Sequence, residues 1–171
     1  GFQLEDFSSA EEHRRTIVSR IHDYRVKQGL GVVAKFTPES YNDAIWFASL
    51  GSGSLGGKAR GLAFLNNMLQ KYDLYNEWEG VRVLVPKTLV VTTDYFSRFI
   101  RENGLKYVIN ADLSDEEILS EFVASTLPQD LTDALRIFLG NCTKPLAIRS
   151  SSKLEDSYYQ PFAGVYSTYM I

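Results

Sequence analysis

The sequence predicts an α/β protein in which helices pack on a small mixed sheet. Apolar residues recur at helical spacing in several segments, and two of these segments open with a capping-box pattern. Short runs rich in β-branched residues lie between the helical segments and predict strands. With 171 residues, the chain is long enough to bury a hydrophobic core without disulfides, and its lone Cys142 cannot form one internally.

The first 50 residues are predicted to form a helical extension or connector. Ser9-Ala10-Glu11-Glu12 is a capping box, and the helix that it opens continues to Gly29. The apolar positions of this helix are Ile17, Val18, Ile21 and Tyr24. Because the helix is polar overall, we expect a solvated face, and the alternative is a connector that packs on a neighbouring domain. Residues 38–50 are predicted to form a second, short helix with Ile45, Trp46 and Phe47 turned inward.

A chain of this length is one domain or a domain with an extension, and residues 51–171 contain most of the predicted elements. Helices are predicted over 58–72, 93–103, 114–125 and 128–139, and Thr93 or Asp94 caps the second of these. Strands are predicted over 81–85, 88–91, 146–150 and 162–169. A long loop joins the last two strands.

A glycine-serine loop at 51–57 leads into the helix 58–72 and predicts a site for an anion. Free backbone amides and the helix dipole both favour a phosphate at such a position, and Lys58 adds a point charge beside Gly56 and Gly57. The pattern is not a nucleotide P-loop, because Ser52 stands where that motif needs glycine and Ala59 follows the lysine. The alternative is a flexible loop between two helices with an incidental lysine.

A second candidate cluster follows the apolar strand at 146–150. It consists of Arg149, Ser150, Ser151 and Ser152. Arginine offers a planar, permanently charged fork and the hydroxyls offer neutral donors, a combination that suits a polyphosphate. The loop then presents Glu155 and Asp156, and the alternative is that Arg149 pairs with one of these carboxylates to fix the loop.

Composition argues against several other functions. A formal net charge of −3 and a pI near 5.4 leave no dominant basic face for a nucleic acid. No apolar run approaches the roughly 20 residues of a membrane span and no signal peptide is present, so we expect a cytoplasmic protein that binds neither membrane nor nucleic acid. His13 and His22 point to opposite faces of one helix, so no metal site is predicted from them.

Three motifs occur in order along the chain. They are LGGKA at 55–59, VPKTLVVTT at 85–93, and IRSSSKLED at 148–156 followed by FAG at 162–164. This series resembles the N-terminal ATP-binding domain of the phosphoenolpyruvate synthase and pyruvate phosphate dikinase family. The resemblance implies that residues 51–171 are a truncated N-terminal lobe of such a domain, with an ATP-grasp-like fold.

The resemblance also implies a function for the longer parent protein. In this family ATP phosphorylates a histidine on a separate swivelling domain and AMP is released, after which a barrel domain passes the phosphate to pyruvate. Lys58 and Arg149 would be the cations that contact the ATP phosphates. The implied cofactor-binding set is Gly56, Gly57, Lys58, Arg149, Ser150, Ser151, Glu155 and Asp156.

The sequence departs from the family pattern at two positions. Val165 replaces the glutamine that often follows FAG in family members. Lys87 stands where the family's VPPGFVVTT-like element has its second proline. These differences leave the phosphate acceptor open among pyruvate, a glucan, an antibiotic or another compound. A non-catalytic nucleotide-sensing or interaction module is the alternative function.

The chain is expected to be an excised piece of a longer protein, because it starts at Gly1 without methionine and stops within a strand-like run. The ligands of Mg²⁺, the adenine-binding lobe and the phosphohistidine are then expected beyond Ile171. The piece itself should not be catalytic, and its partners would be ATP, the missing second lobe, and the phosphohistidine and barrel domains. The open face lined by Lys58 and Arg149 would normally meet the second lobe, so the isolated piece is also expected to dimerise through this exposed half-site.

Overall fold

The computed structural model describes residues 7–29, 32–39, 41, 44–152 and 166–171. The predicted α/β class is confirmed. In the described residues the helices are α1 Ala10–Gly29, α2 Gly57–Lys71, α3 Thr93–Glu102, α4 Asp115–Ala124 and α5 Gln129–Gly140, with 3₁₀ turns at Leu74–Asn76 and Leu105–Ile109. The strands are β1 Ala34–Lys35, β2 Phe47–Leu50, β3 Thr88–Val91, β4 Ala147–Arg149 and β5 Thr168–Met170.

The strands divide between two sheets of different type. A three-stranded parallel sheet has the order β1-β2-β3, and β4 and β5 form a separate antiparallel pair. Leu50 at the end of β2 pairs with Val91 at the end of β3. The carboxyl ends of these two strands therefore lie at the same edge, and the loops that leave them are neighbours.

Both faces of the parallel sheet are covered by helices. Successive residues of a strand point to opposite faces. Ala48 and Leu50 accordingly pack with side chains of α3 and α5, whereas Phe47 packs with Ala59 of α2 on the other face. Phe47 is fully buried, so β2 lies at the centre of the hydrophobic core.

Two predicted elements were wrong. The predicted helix at 38–50 is wrong because Phe47–Leu50 is the central strand. A strand buried on both faces is a continuous apolar run, which sequence periodicity cannot distinguish from a buried helix. No strand forms at 81–85 either: the Val83 amide donates to the Tyr75 carbonyl of a 3₁₀ turn, and Pro86 lacks an amide for a ladder.

The other predicted elements are confirmed where they are described. Helices α2 to α5 begin and end within about two residues of their predicted limits, a normal spread for helix ends. Ser114 and Glu117 form the predicted capping box of α4. Strand β4 is confirmed, and so is a strand at the end of 162–169, although residues 162–165 lie outside the described part.

The first 50 residues are not only helical. They supply β1 and the central strand β2 as well as α1, whose four apolar positions are all exposed. The solvated face predicted for α1 agrees with this exposure. The domain boundary at residue 50 remains a prediction.

Candidate functional site

The glycine-serine loop leaves the carboxyl end of β2 and leads into α2. In α/β sheets, ligands bind preferentially at this edge, where the loops after neighbouring parallel strands meet. The loop after β3 begins at the same edge and leads directly into α3. The predicted anion site therefore lies at the edge of the sheet where a ligand is expected.

Ser151 brings the second candidate cluster into direct contact with this loop. Its carbonyl accepts a hydrogen bond from the Gly57 amide (2.9 Å). Its hydroxyl accepts from the Ala59 amide (2.9 Å) and donates to the Leu55 carbonyl (2.9 Å). The first amides of a helix lack partners within the helix, so Ser151 caps α2 from a distant part of the sequence.

Gly56 is the point of closest approach between the two segments. Its φ of 80° and ψ of −175° belong to a region that essentially only glycine adopts. A Cβ at this position would lie 1.7 Å from the Ser151 carbonyl oxygen. The requirement for glycine here is therefore both conformational and steric.

The two predicted cations flank this contact. Lys58 lies in the first turn of α2, between the two residues whose amides bond to Ser151, and it is half-buried. Arg149 is the last residue of β4, two positions before Ser151, and its side chain is exposed. Arg149 forms no ion pair with any residue that the structure describes.

Several of the predicted ligand-binding groups have partners within the protein. The Gly57 amide and the Ser151 hydroxyl are both used in the contact between the segments. Ser150 accepts a hydrogen bond from the Ser152 amide through its hydroxyl (3.2 Å). Glu155 and Asp156 lie outside the described residues, so the alternative pairing of Arg149 with either carboxylate stays open.

Asp94 makes contacts with the glycine-serine loop that the sequence did not reveal. The prediction that Thr93 or Asp94 caps α3 is wrong, because Thr92 is the N-cap. The Asp94 carboxylate instead faces the glycine-serine loop. It accepts hydrogen bonds from the amides of Ser52 (3.0 Å) and Gly53 (3.0 Å) and from the Thr92 hydroxyl. Burial alone would raise the pKa of Asp94, but these hydrogen bonds together outweigh it and hold that pKa well below its ordinary range.

A comparison with models of protein families shows which family the chain belongs to. The profile described as "Pyruvate phosphate dikinase, AMP/ATP-binding domain" matches residues 52–171, which is more than half of the chain. The chain belongs to this family. A search of curated proteins and a search of solved structures each found no match.

Membership of the pyruvate phosphate dikinase AMP/ATP-binding family confirms the resemblance seen in the motifs. All three motifs lie within the matched residues, and the α/β architecture agrees with the ATP-grasp-like lobe expected for the family. The match begins at Ser52, so strand β2 lies just outside the matched residues. However, β2 pairs along its whole length with β3, which lies inside them.

Within the described ranges, no group of three or more His, Cys, Asp or Glu side chains could hold a metal ion. Across the same residues, no helix is both long and apolar enough to cross a lipid bilayer.

Proposed function

We propose that this chain binds the phosphate groups of ATP at the surface between the N-terminus of α2 and the end of β4. Lys58 and Arg149 would be the charged contacts, with Gly56, Gly57, Ser150 and Ser151 shaping the surface between them. Glu155 and Asp156 are proposed as further members of the nucleotide site.

The observation that supports this proposal is the contact through Ser151. Two motifs that are far apart in the sequence, each suited to a phosphate, meet at one place. Ser151 is neutral, so it satisfies two amides of α2 without adding a negative charge. The positive end of the helix dipole therefore still favours an anion.

The charge distribution of the described helices supports the same conclusion. Helices α1, α3, α4 and α5 each have an acidic residue in the first turn, which offsets the dipole. Helix α2 has none there and has Lys58 instead. Its N-terminus thus combines a lysine with an uncompensated dipole, and phosphoryl transfer depends largely on such charge neutralisation and positioning.

We propose that the parent protein is a dikinase of the phosphoenolpyruvate synthase type. ATP would phosphorylate a histidine on a separate domain, and the phosphate would then pass to pyruvate or a related acceptor. Mg²⁺ and its ligands, the second lobe, and the phosphohistidine and barrel domains are proposed to lie in other parts of that protein. On this proposal the present chain is not catalytic alone.

Calorimetric titration of the chain with adenosine, AMP, ADP and ATP tests the phosphate site. Affinity should rise with the number of phosphates, because the charged side chains contact phosphate and not adenine. Arg149→Ala should weaken ATP binding by about 10- to 100-fold, the loss expected for one charge-assisted contact. Arg101→Ala is the matched control, since Arg101 is an exposed arginine of α3, and it should bind ATP normally. Equal affinity of the Arg149→Ala variant and the unsubstituted chain would contradict the role of Arg149.

The reaction of the parent is tested with ATP labelled in its β-phosphate. A dikinase should release AMP and acquire an acid-labile label on the protein. Nucleotide binding with neither signal would contradict the dikinase proposal and favour a nucleotide-sensing module.

A further inference from the structure

The first half of the glycine-serine loop is folded around a carboxylate of its own chain. Both Asp94 oxygens accept hydrogen bonds: Oδ2 from the amide and hydroxyl of Ser52 (3.0 and 3.2 Å), and Oδ1 from the amide of Gly53 (3.0 Å) and the hydroxyl of Thr92. Successive backbone amides that converge on one anion form a nest, a geometry that commonly binds phosphate. Here Asp94 is the anion, so this half of the loop holds an internal carboxylate.

The packing between this loop and the start of α3 is close. A Cβ on Gly51 would lie 2.1 Å from the Thr92 hydroxyl, and a Cβ on Gly53 would lie 2.6 Å from the Asp94 amide nitrogen. Two of the loop glycines are therefore needed for the close approach to the start of α3.

Hydrogen bonds continue from this contact to the proposed phosphate site. The Ser54 amide donates to the Thr93 hydroxyl (2.9 Å), and the Ser54 carbonyl accepts from the Thr93 amide (3.1 Å). The Ser54 hydroxyl in turn accepts from the amide of Gly56 (3.3 Å). An unbroken series of contacts thus joins the start of α3 to the glycine that packs against Ser151.

We infer that Asp94 is a positioning residue of the phosphate site: its carboxylate fixes the loop 51–54 and thereby holds Gly56 against Ser151 beside Lys58. This inference rests on the proposed function. Asp94 has no direct role toward nucleotide, because its oxygens face the loop amides. Its effect on binding comes from ordering the loop before ATP arrives.

The test combines Asp94→Ala with addition of formate. Amide exchange at Ser52 and Gly53, followed by NMR, should accelerate in the variant because their acceptor is lost. ATP affinity should fall about tenfold, since the loop must now be ordered during binding. Formate can occupy the vacated nest, so it should restore both slow exchange and ATP affinity, which a loss of general stability would not allow.

Asp130→Ala is the matched control. The Asp130 carboxylate of α5 accepts hydrogen bonds from Tyr95 and Arg98 of α3, so its removal destabilises the same helix at a different contact. This variant should keep the ATP affinity of the unsubstituted chain and should not respond to formate. If Asp94→Ala does not fold, Asp94→Asn serves instead: its amide group keeps the shape but presents a donor to the loop amides, so exchange should accelerate and ATP affinity should fall.

Each contrary result has a distinct meaning. Unchanged exchange at Ser52 and Gly53 would overturn the anchoring of the loop. Faster exchange with unchanged ATP affinity, or a loss of affinity that formate does not restore, would overturn the positioning role while the proposed function stands. Absence of ATP binding by the unsubstituted chain would overturn the proposed function and, with it, the assigned role of Asp94.

Discussion

Replacing Gly56, the N-cap of α2, by alanine should destabilise the protein strongly. The new Cβ would lie 1.7 Å from the Ser151 carbonyl oxygen, so one of the two backbone segments must move. Movement of Ser151 breaks its hydrogen bonds to Gly57, Ala59 and Leu55 together. The contact that joins the two candidate clusters is then lost.

The size of this effect follows from two contributions. Alanine at the φ and ψ of Gly56 costs about 1–3 kcal/mol of backbone strain. Each of the three lost hydrogen bonds contributes about 1 kcal/mol. The expected decrease in the free energy of unfolding is about 4–6 kcal/mol, which lowers the melting temperature of a chain of this length by about 10–20 °C.

Gly61→Ala provides a matched control. Gly61 lies in the same helix, and nothing lies within 4 Å of a Cβ built there. Alanine should stabilise that position by about 0.5–1 kcal/mol, because glycine loses more conformational freedom in a helix. Urea unfolding of both variants, followed by circular dichroism, measures the difference. If Gly56→Ala were as stable as the unsubstituted chain, the close approach to Ser151 and its energetic role would be refuted.

Further predictions concern helix ends and ion pairs. Ser114→Ala removes the capping box of α4 and should lower the free energy of unfolding by about 1 kcal/mol in urea without changing ATP affinity; an effect on affinity would contradict a purely structural role. The Arg98 guanidinium, together with a hydrogen bond from Tyr95, lowers the pKa of Asp130 to about 2. The Arg98–Asp130 ion pair should therefore stabilise the fold fully above the ordinary aspartate pKa and lose this effect as the pH falls toward 2. Because both side chains are partly exposed, Asp130→Asn should cost only about 1 kcal/mol at pH 7, and urea melts should show this difference shrinking in acid; a difference that grows in acid would contradict the assignment.

The features predicted best were those that depend on residues close together in the sequence. Ser114 and Glu117 are three positions apart, so their capping box is visible without knowledge of the fold. The strand Phe47–Leu50 was missed because its identity comes from pairing with β3, and four apolar-rich residues show no period of their own.

The residues of the candidate site could also be predicted only where they form local sequence patterns. The charged and glycine residues were found because they form local patterns, but the partners of Ser151 and Asp94 were not. Ser151 contacts residues 92 and 96 positions away, and Asp94 contacts residues 41 and 42 positions away. Their neighbours in sequence carry no sign of these contacts. Only the arrangement of the sheet edge brings them together.

The position of Ser151 in the chain has a consequence for the order of folding. Its contact with the start of α2 closes a longer loop than the pairing of β2 with β3, and long-range contacts form only after the entropy of loop closure has been overcome. The parallel sheet and α2 can therefore fold as one cooperative unit before the antiparallel pair docks. The phosphate site needs both units, so it forms only when the longer loop has closed.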